Sequence, residues 1–247
     1  MRSATHLNRQ QAKVSLLVKE ADSCNRILGW QQVKFVLTFD GELPSTGNGG
    51  SNKARKKWEI RNHFHPQLEQ LWQVHPALLR VDRHRYFNKA IPSLLIIEGH
   101  HEYEDNWKAV SHGHLDEVDL LVPFSVGGRT FVPLVRKSLA LTCSLKIKFL
   151  RQGAPGNIYS GGDIDNRLKT LLDALSKPPQ DQVVNDNTIS GPIFCLLEDD
   201  SLLTGISVET DRLLNHPDSS RSFVHLTIEV DVRVADSRRY NSMFLGD

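Results

Sequence analysis

Apolar and polar residues alternate along several segments of this chain, which is the pattern of β-strands that bury one face. The alternation begins at Val33, Phe35 and Leu37 and predicts a first strand that ends at residues 39–41. It recurs within the two long strands that we predict at residues 141–149 and 222–234. Shorter apolar runs predict four more strands, at residues 92–98, 118–124, 194–197 and 205–209.

Apolar residues three and four positions apart predict helices between these strands. The clearest helix begins near Ile164 and ends at Leu175, with apolar positions that keep one stripe against a core. Two more helices are predicted after the first strand, one from about Ala54 and one after Pro66 that ends before Val81. Strands and helices together predict an α+β (mixed α/β) fold, in which helices pack on a mixed sheet.

Length and composition are those of one ordinary folded domain. The 247 residues are 39% hydrophobic and 24% charged, with a formal net charge of +1, which excludes wholesale disorder and a global basic field. We interpret residues 1–30 as an N-terminal extension and residues 31–247 as a single domain, with an insertion at about 42–139. Three scattered cysteines and the absence of a long apolar run predict a cytoplasmic protein that does not cross a membrane.

Candidate chemistry concentrates at the entrance of the predicted helix. Asp163 and Asp165 flank Ile164, Lys169 follows one turn later, and Asp200 ends an acidic pair after a later strand. Carboxylate oxygens suit Mg²⁺, and a lysine can hold a phosphate oxygen or an attacking water. Taken singly, each aspartate also fits a helix cap or a turn, and the lysine fits a solvated surface. The combination favours a metal-dependent phosphodiester site.

Other chemistries fit the sequence less well. Phosphatases with an aspartyl nucleophile and metal-nucleotide glycosyltransferases place a DxD motif at the end of an apolar strand, whereas Asp163 enters a helix directly. A phosphotransfer enzyme acting on nucleotides stays open as a distant alternative, although the chain has no GxxxxGK[ST] loop. The histidines at residues 63–65 and 100–114 match no metal-ligand spacing.

The run Gly162-Asp163-Ile164-Asp165-Asn166-Arg167-Leu168-Lys169, followed by Asp173-Ala174-Leu175 and by Glu198-Asp199-Asp200, resembles the RusA family of Holliday junction resolvases and related endodeoxyribonucleases. The resemblance covers residues 141–234 and implies a RusA-like core, here enlarged by the insertion after the first strand. It implies a homodimer that cuts branched DNA with Mg²⁺, for which Mn²⁺ can substitute. It also implies that Asp163, Asp165 and Asp200 hold the metal and that Lys169 takes part in catalysis.

A basic cluster could bring DNA to this site. A glycine-rich loop is predicted at residues 43–57, and five positive charges fall within nine residues at its end: Lys53, Arg55, Lys56, Lys57 and Arg61. Because DNA binding is driven largely by neutralising phosphates, we expect this cluster to hold the DNA backbone, with Arg167 as a further phosphate contact. A solvated loop without function is the alternative.

The sequence therefore predicts a Mg²⁺-dependent endodeoxyribonuclease that hydrolyses phosphodiester bonds in branched DNA such as Holliday junctions. The alternative from a different class is a catalytically inactive or accessory DNA-binding subunit of a nucleic-acid-processing complex. Cleavage that depends on both Mg²⁺ and Asp165 separates the two hypotheses.

Overall fold

The computed structural model describes residues 32–44, 51–83, 85–88, 117–152, 163–184, 189–214 and 222–245. Within these ranges the chain forms three α-helices and nine β-strands. The helices are α1 (Ser51–Val74), α2 (Pro76–Arg83) and α3 (Asp163–Leu175). The strands are β1 (Lys34–Glu42), β2 (Tyr86–Asn88), β3 (Glu117–Asp119), β4 (Phe124–Val126), β5 (Arg129–Val135), β6 (Leu141–Arg151), β7 (Ile193–Leu197), β8 (Leu203–Arg212) and β9 (Phe223–Val234).

The main sheet has four strands in the order β1-β9-β6-β8. Strand β9 is antiparallel to both of its neighbours, whereas β6 and β8 are parallel, so the sheet is mixed. In β9 the side chains from Val224 to Val232 alternate between buried valine, leucine or isoleucine and more exposed polar residues. This period of two buries one face of the sheet against the helices and leaves the other face polar. The predicted α+β fold with a mixed sheet is confirmed.

A second sheet has three strands in the order β4-β5-β7, and β5 runs parallel to β7. Strands β4 and β5 come from the segment that we expected to be an insertion, yet Leu134 and Val135 are fully buried in the same core as β6 and β9. The short pair β2-β3 also belongs to that segment. The predicted N-terminal extension and the strand predicted at residues 92–98 lie outside the described residues.

Helix α1 differs from the prediction at both of its boundaries. It begins at Ser51, so the basic residues from Lys53 onward lie on a helix and not in the predicted loop. It also continues through Pro66, where we predicted the start of a separate helix. The buried residues on both sides of Pro66 follow one four-residue spacing, which keeps a single helix against the core. These residues are Ile60, Phe64, Leu68 and Trp72.

The single strand predicted at residues 118–124 is wrong, because β3 ends at Asp119 and β4 begins at Phe124. The Oδ1 atom of Asp119 accepts a hydrogen bond from the Leu121 backbone N–H at 2.8 Å, which turns the chain. Pro123 lacks the N–H that a strand ladder needs. The sequence also missed β5, whose apolar residues run together without alternation.

We predict that acid weakens the fold through His65, which joins α1 to β7. Its Nδ1 atom accepts a hydrogen bond from the Phe194 N–H at 3.1 Å, so the neutral ring is required. Burial lowers the pKa of His65 below 6.5, against an opposing effect of Glu69. Below pH 6.5 the unfolded chain therefore binds a proton that the native state resists, and stability falls by up to about 1.4 kcal/mol per pH unit.

Urea unfolding at pH 7 and pH 5 measures this loss. The His65→Gln variant keeps an acceptor for the Phe194 N–H and cannot titrate, so its stability should fall less over the same interval. His75, whose pKa burial also lowers, supplies a loss of the same sign in both proteins. An equal pH dependence in the wild type and in His65→Gln would show that His65 has no part in it.

Candidate functional site

Helix α3 exposes two charged residues of its first turns and buries much of its apolar stripe. Ile164 and Leu171 are buried, whereas Asp165 and Lys169 are exposed. Asp165 and Lys169 are four positions apart, so their side chains leave the same face of the helix one turn from each other. Within the part of the chain that the structure describes, neither forms a hydrogen bond or an ion pair. Asp163 begins the helix, and its side chain lies outside the described part.

Arg167 anchors the entrance of α3 and is not a surface residue. It is 6% exposed, and its Nη1 atom donates hydrogen bonds to the carbonyl oxygens of Leu43 at 2.7 Å and Ser222 at 3.2 Å. These two residues adjoin the end of β1 and the start of β9, and the Leu43 N–H itself donates to Ser222. The prediction of Arg167 as a DNA contact is therefore corrected, because its guanidinium bonds to backbone inside the protein.

Arg61 of α1 holds the other end of α3. It is 1% exposed, and its Nη2 atom donates to the carbonyl oxygens of Asp173 at 2.7 Å and Ser176 at 3.1 Å. Helix ends carry carbonyl groups without partners in the helix, which a guanidinium can satisfy. The guanidinium also lies 5.7 Å from the centre of the Trp58 ring. Burial lowers the pKa of Arg61 to about 10.

Lys57 lies one turn before Arg61 and contacts the same end of α3. Its ammonium nitrogen is 2.7 Å from a carboxylate oxygen of Asp173 and donates to the side-chain oxygen of Gln182 at 3.1 Å. The lysine side chain is almost fully buried, whereas that of Asp173 is one-third exposed. The structure thus corrects the prediction that Lys57 and Arg61 bind DNA phosphates, since both are internal.

The remaining predicted DNA contacts, Lys53, Arg55 and Lys56, stay at the surface of α1. Arg55 is highly exposed and lies 3.6 Å from Glu59. The ammonium of Lys56 lies 2.9 Å from Glu59 and 3.7 Å from Glu42, and the hydrogen bond with Glu59 raises the pKa of the lysine. The basic surface is therefore smaller than predicted and partly neutralised by carboxylates.

Asp200 lies beside the start of β6. It begins a short 3-10 turn between β7 and β8, and Leu203, which opens β8, pairs with Cys143 near the first residue of β6. Asp199 caps that turn, since its Oδ1 atom accepts a hydrogen bond from the Ser201 N–H at 2.9 Å, and hydrogen bonding with Ser201 lowers the pKa of Asp199. The contacts of Asp199 are those of a turn, which was one of the interpretations left open by the sequence.

The entrance of α3 lies at the opposite end of the sheet. Arg167 ties it to Ser222, next to Val224, which pairs with Arg151 at the last residue of β6. Strand β6 has 11 residues and spans on the order of 30 Å. The structure therefore does not bring Asp200 together with Asp165 and Lys169, and Asp200 is corrected as a member of the candidate site.

At the entrance of α3 the structure describes one carboxylate of the predicted metal site, that of Asp165. In the described part of the chain, no three His, Cys, Asp or Glu residues are grouped so that they could hold one. Mg²⁺ usually takes only one or two carboxylates from a protein and completes its shell with water and phosphate oxygens. The exposed carboxylate of Asp165 could supply one such ligand, and Lys169 adds a positive charge one turn away.

The internal role of the basic residues had a signal in the sequence. Lys57 and Arg61 share the 3–4 spacing of the apolar residues Phe64 and Leu68, and thus fall on the buried stripe of α1. Arg167 likewise lies between Ile164 and Leu171 on the buried stripe of α3. A count of positive charges does not distinguish these buried residues from exposed ones, whereas their position on the apolar stripe does.

We predict that Arg167 and Lys169, on one helix, differ sharply in their effect on stability. Arg167→Met leaves the carbonyls of Leu43 and Ser222 without this donor and should cost about 2–4 kcal/mol of unfolding free energy. Lys169→Met, at an exposed position, should change it by less than about 0.5 kcal/mol. Urea unfolding of both variants checks this, and equal losses would contradict the anchoring role.

A second prediction concerns the basic residues of α1. Lys57→Met removes the partner of Asp173 and should cost about 1–3 kcal/mol, since Asp173 remains partly hydrated. Arg55→Met should leave stability unchanged but lower the salt dependence of DNA binding by about one counterion. Unfolding and salt-titrated DNA binding measure the two effects, and a lower salt slope in folded Lys57→Met would contradict its internal role.

Comparisons of the chain with protein-family models, with curated proteins and with solved structures find no match. No helix in the described residues is both long and apolar enough to cross a membrane.

Proposed function

We propose that this protein is a Mg²⁺-dependent endodeoxyribonuclease that hydrolyses phosphodiester bonds in branched DNA. The observation that carries the proposal is the exposed pair Asp165 and Lys169, one turn apart on a helix that Arg61 and Arg167 anchor at both ends. An anchored helix holds reactive side chains in a fixed geometry, which is what catalysis requires. The resemblance of this segment to the RusA family supports the same reaction.

The reaction adds water to the phosphorus atom and breaks one bond between phosphorus and a bridging oxygen. Asp163 and Asp165 would hold Mg²⁺, which would supply activation of water and neutralisation of charge on the phosphate. Lys169 holds a nonbridging phosphate oxygen or the attacking water and offsets the negative charge that develops. Asp200 has no part in this arrangement.

The start of α1 borders the same end of the sheet and offers a path for DNA. Lys56 lies 3.7 Å from Glu42, and the next residue, Leu43, accepts the hydrogen bond of Arg167. Lys56 therefore lies near the entrance of α3, and Lys53, Arg55 and Lys56 would contact phosphates that flank the cut. In this proposal the protein works in the cytoplasm. It acts as a homodimer, because cutting two strands of a junction favours two-fold symmetry.

The alternative is a DNA-binding subunit without catalytic activity. It would need only the basic surface of α1, where Arg55 is highly exposed, and no bound metal ion. Such a subunit would bind branched DNA and leave it intact.

We predict that Asp165→Asn abolishes cleavage, because an amide cannot replace the charge of a metal-holding carboxylate. Cutting of a labelled four-way junction, a linear duplex and a single strand is measured with Mg²⁺, with Mn²⁺ and with EDTA. The Asp165→Asn rate should fall at least about a hundredfold, and EDTA should stop the wild type.

Asp200→Asn is the matched control, because the structure places Asp200 at the far end of the sheet. It should cut at the wild-type rate, and circular dichroism should show both variants folded. If Asp200→Asn lost cutting while Asp165→Asn kept it, the proposed site at the entrance of α3 would be wrong. Junction binding without Mg²⁺-dependent cutting by the wild type would favour the accessory subunit.

A further inference from the structure

The two edges of the main sheet differ in how they are covered. At the β1 edge, the Gln67 side chain of α1 accepts from the Thr38 N–H at 3.0 Å and donates to the Thr38 carbonyl at 2.8 Å. The amide thus occupies backbone groups that another strand would use, which blocks edge-to-edge pairing. At the other edge, the described residues place no strand beyond β8.

The direction of the backbone groups of β8 follows from its pairing with β6. The Leu213 N–H donates to the Arg151 carbonyl at 2.8 Å, whereas the Arg212 N–H bonds to the Asp211 side chain. Because successive residues of a strand point their N–H and C=O groups to opposite sides, the odd-numbered residues face β6. Ile206, Val208 and Thr210 therefore direct their backbone groups away from the sheet.

The side chains at this edge extend the apolar face of the sheet. Ile206 and Val208 pair with Leu145 and Ile147, both buried in the core. Ile206 is nevertheless 41% exposed, because it lies at the rim of that core. An added strand would cover Ile206 and satisfy the outward backbone groups.

We propose that β8 pairs antiparallel with β8 of a second copy of this chain, about a two-fold axis at Ser207. This pairing sets Ile206 opposite Val208 of the second copy, twice, which is a favourable cross-strand pair. It also sets Glu209 opposite Gly205, so no like charges face each other. An axis at Glu209 or at Thr210 would set Glu209 against Glu209 or against Asp211. The register at Ser207 also does not use the N–H group of Arg212, which is already bonded.

The resulting sheet has eight continuous strands. This pairing gives the interface of the homodimer that the proposed function includes, and to that extent it rests on the proposed function. It does not depend on nuclease activity, because oligomeric state and cleavage are measured separately. A dimer without nuclease activity would support this pairing and contradict the proposed function, and a cutting monomer would do the reverse.

A proline at Val208 tests the hydrogen bonds of the pairing. The Val208 N–H points away from β6, so Val208→Pro should keep the fold and weaken the dimer at least about tenfold in sedimentation velocity over a dilution series. Glu209→Pro is the matched control, because its N–H faces β6 and its loss should lower the melting temperature of the monomer itself.

Charge at Ser207 tests the register and remains informative if Val208→Pro fails to fold. Ser207→Glu and Ser207→Lys each set like charges against each other at the axis, so each variant alone should dimerise more weakly than the wild type by roughly tenfold. Mixed together, they should form a heterodimer with restored affinity. A wild type that stays monomeric at all concentrations, or a dimer insensitive to all these changes, would overturn the proposal.

Discussion

Buried cations between α1, α3 and the strand ends hold the centre of this fold together. Arg167 bonds the entrance of α3 to the end of β1 and the start of β9, and Arg61 bonds its exit. Burying a guanidinium is costly unless its N–H groups find acceptors. Carbonyl oxygens at helix and strand ends need donors for the same reason, so the bonds of Arg61 Nη2 and Arg167 Nη1 offset part of this cost, whereas Nε and Nη1 of Arg61 have no partner among the described residues. Lys57 and Asp173 add an ion pair at the exit.

This anchoring decides which charges remain for chemistry. A helix fixed at both ends cannot rotate about its axis, so the face that carries Asp165 and Lys169 stays toward solvent. The same contacts withdraw Lys57, Arg61 and Arg167 from any DNA surface. Of the predicted basic cluster, Lys53, Arg55 and Lys56 are left at the surface of α1. In the proposed nuclease, the cations that anchor α3 would therefore not be available to bind DNA.

The sequence predicted the elements whose periods are regular. Strands β6 and β9 alternate strictly, and α3 has an unbroken 3–4 stripe, so burial alone specifies them. It failed where a side chain bonds to backbone, as at Asp119, or where apolar residues run together, as in β5. It failed also for charges on buried stripes, because the acceptors that make Arg61 and Arg167 internal come from distant parts of the chain. For the site, it predicted the exposed pair at the entrance of α3 but not the place of Asp200.

The place of Asp200 follows from the parallel pairing of β6 and β8. Two parallel strands begin at the same end of a sheet, so the chain must return to the start of β6 before β8 can begin. Residues just before β8, Asp200 among them, therefore lie at the starting end, whereas Arg167 ties the entrance of α3 to the finishing end. The order of the motifs along the chain suggests that Asp200 lies near the entrance of α3. The chain segment that connects β6 to β8 instead returns Asp200 to the other end of the sheet. Among the described residues, Glu42 and Asp211 share the finishing end, at the ends of β1 and β8. A further ligand for a metal at the entrance of α3 would have to come from elements that finish at this end, and not from the turn that precedes β8.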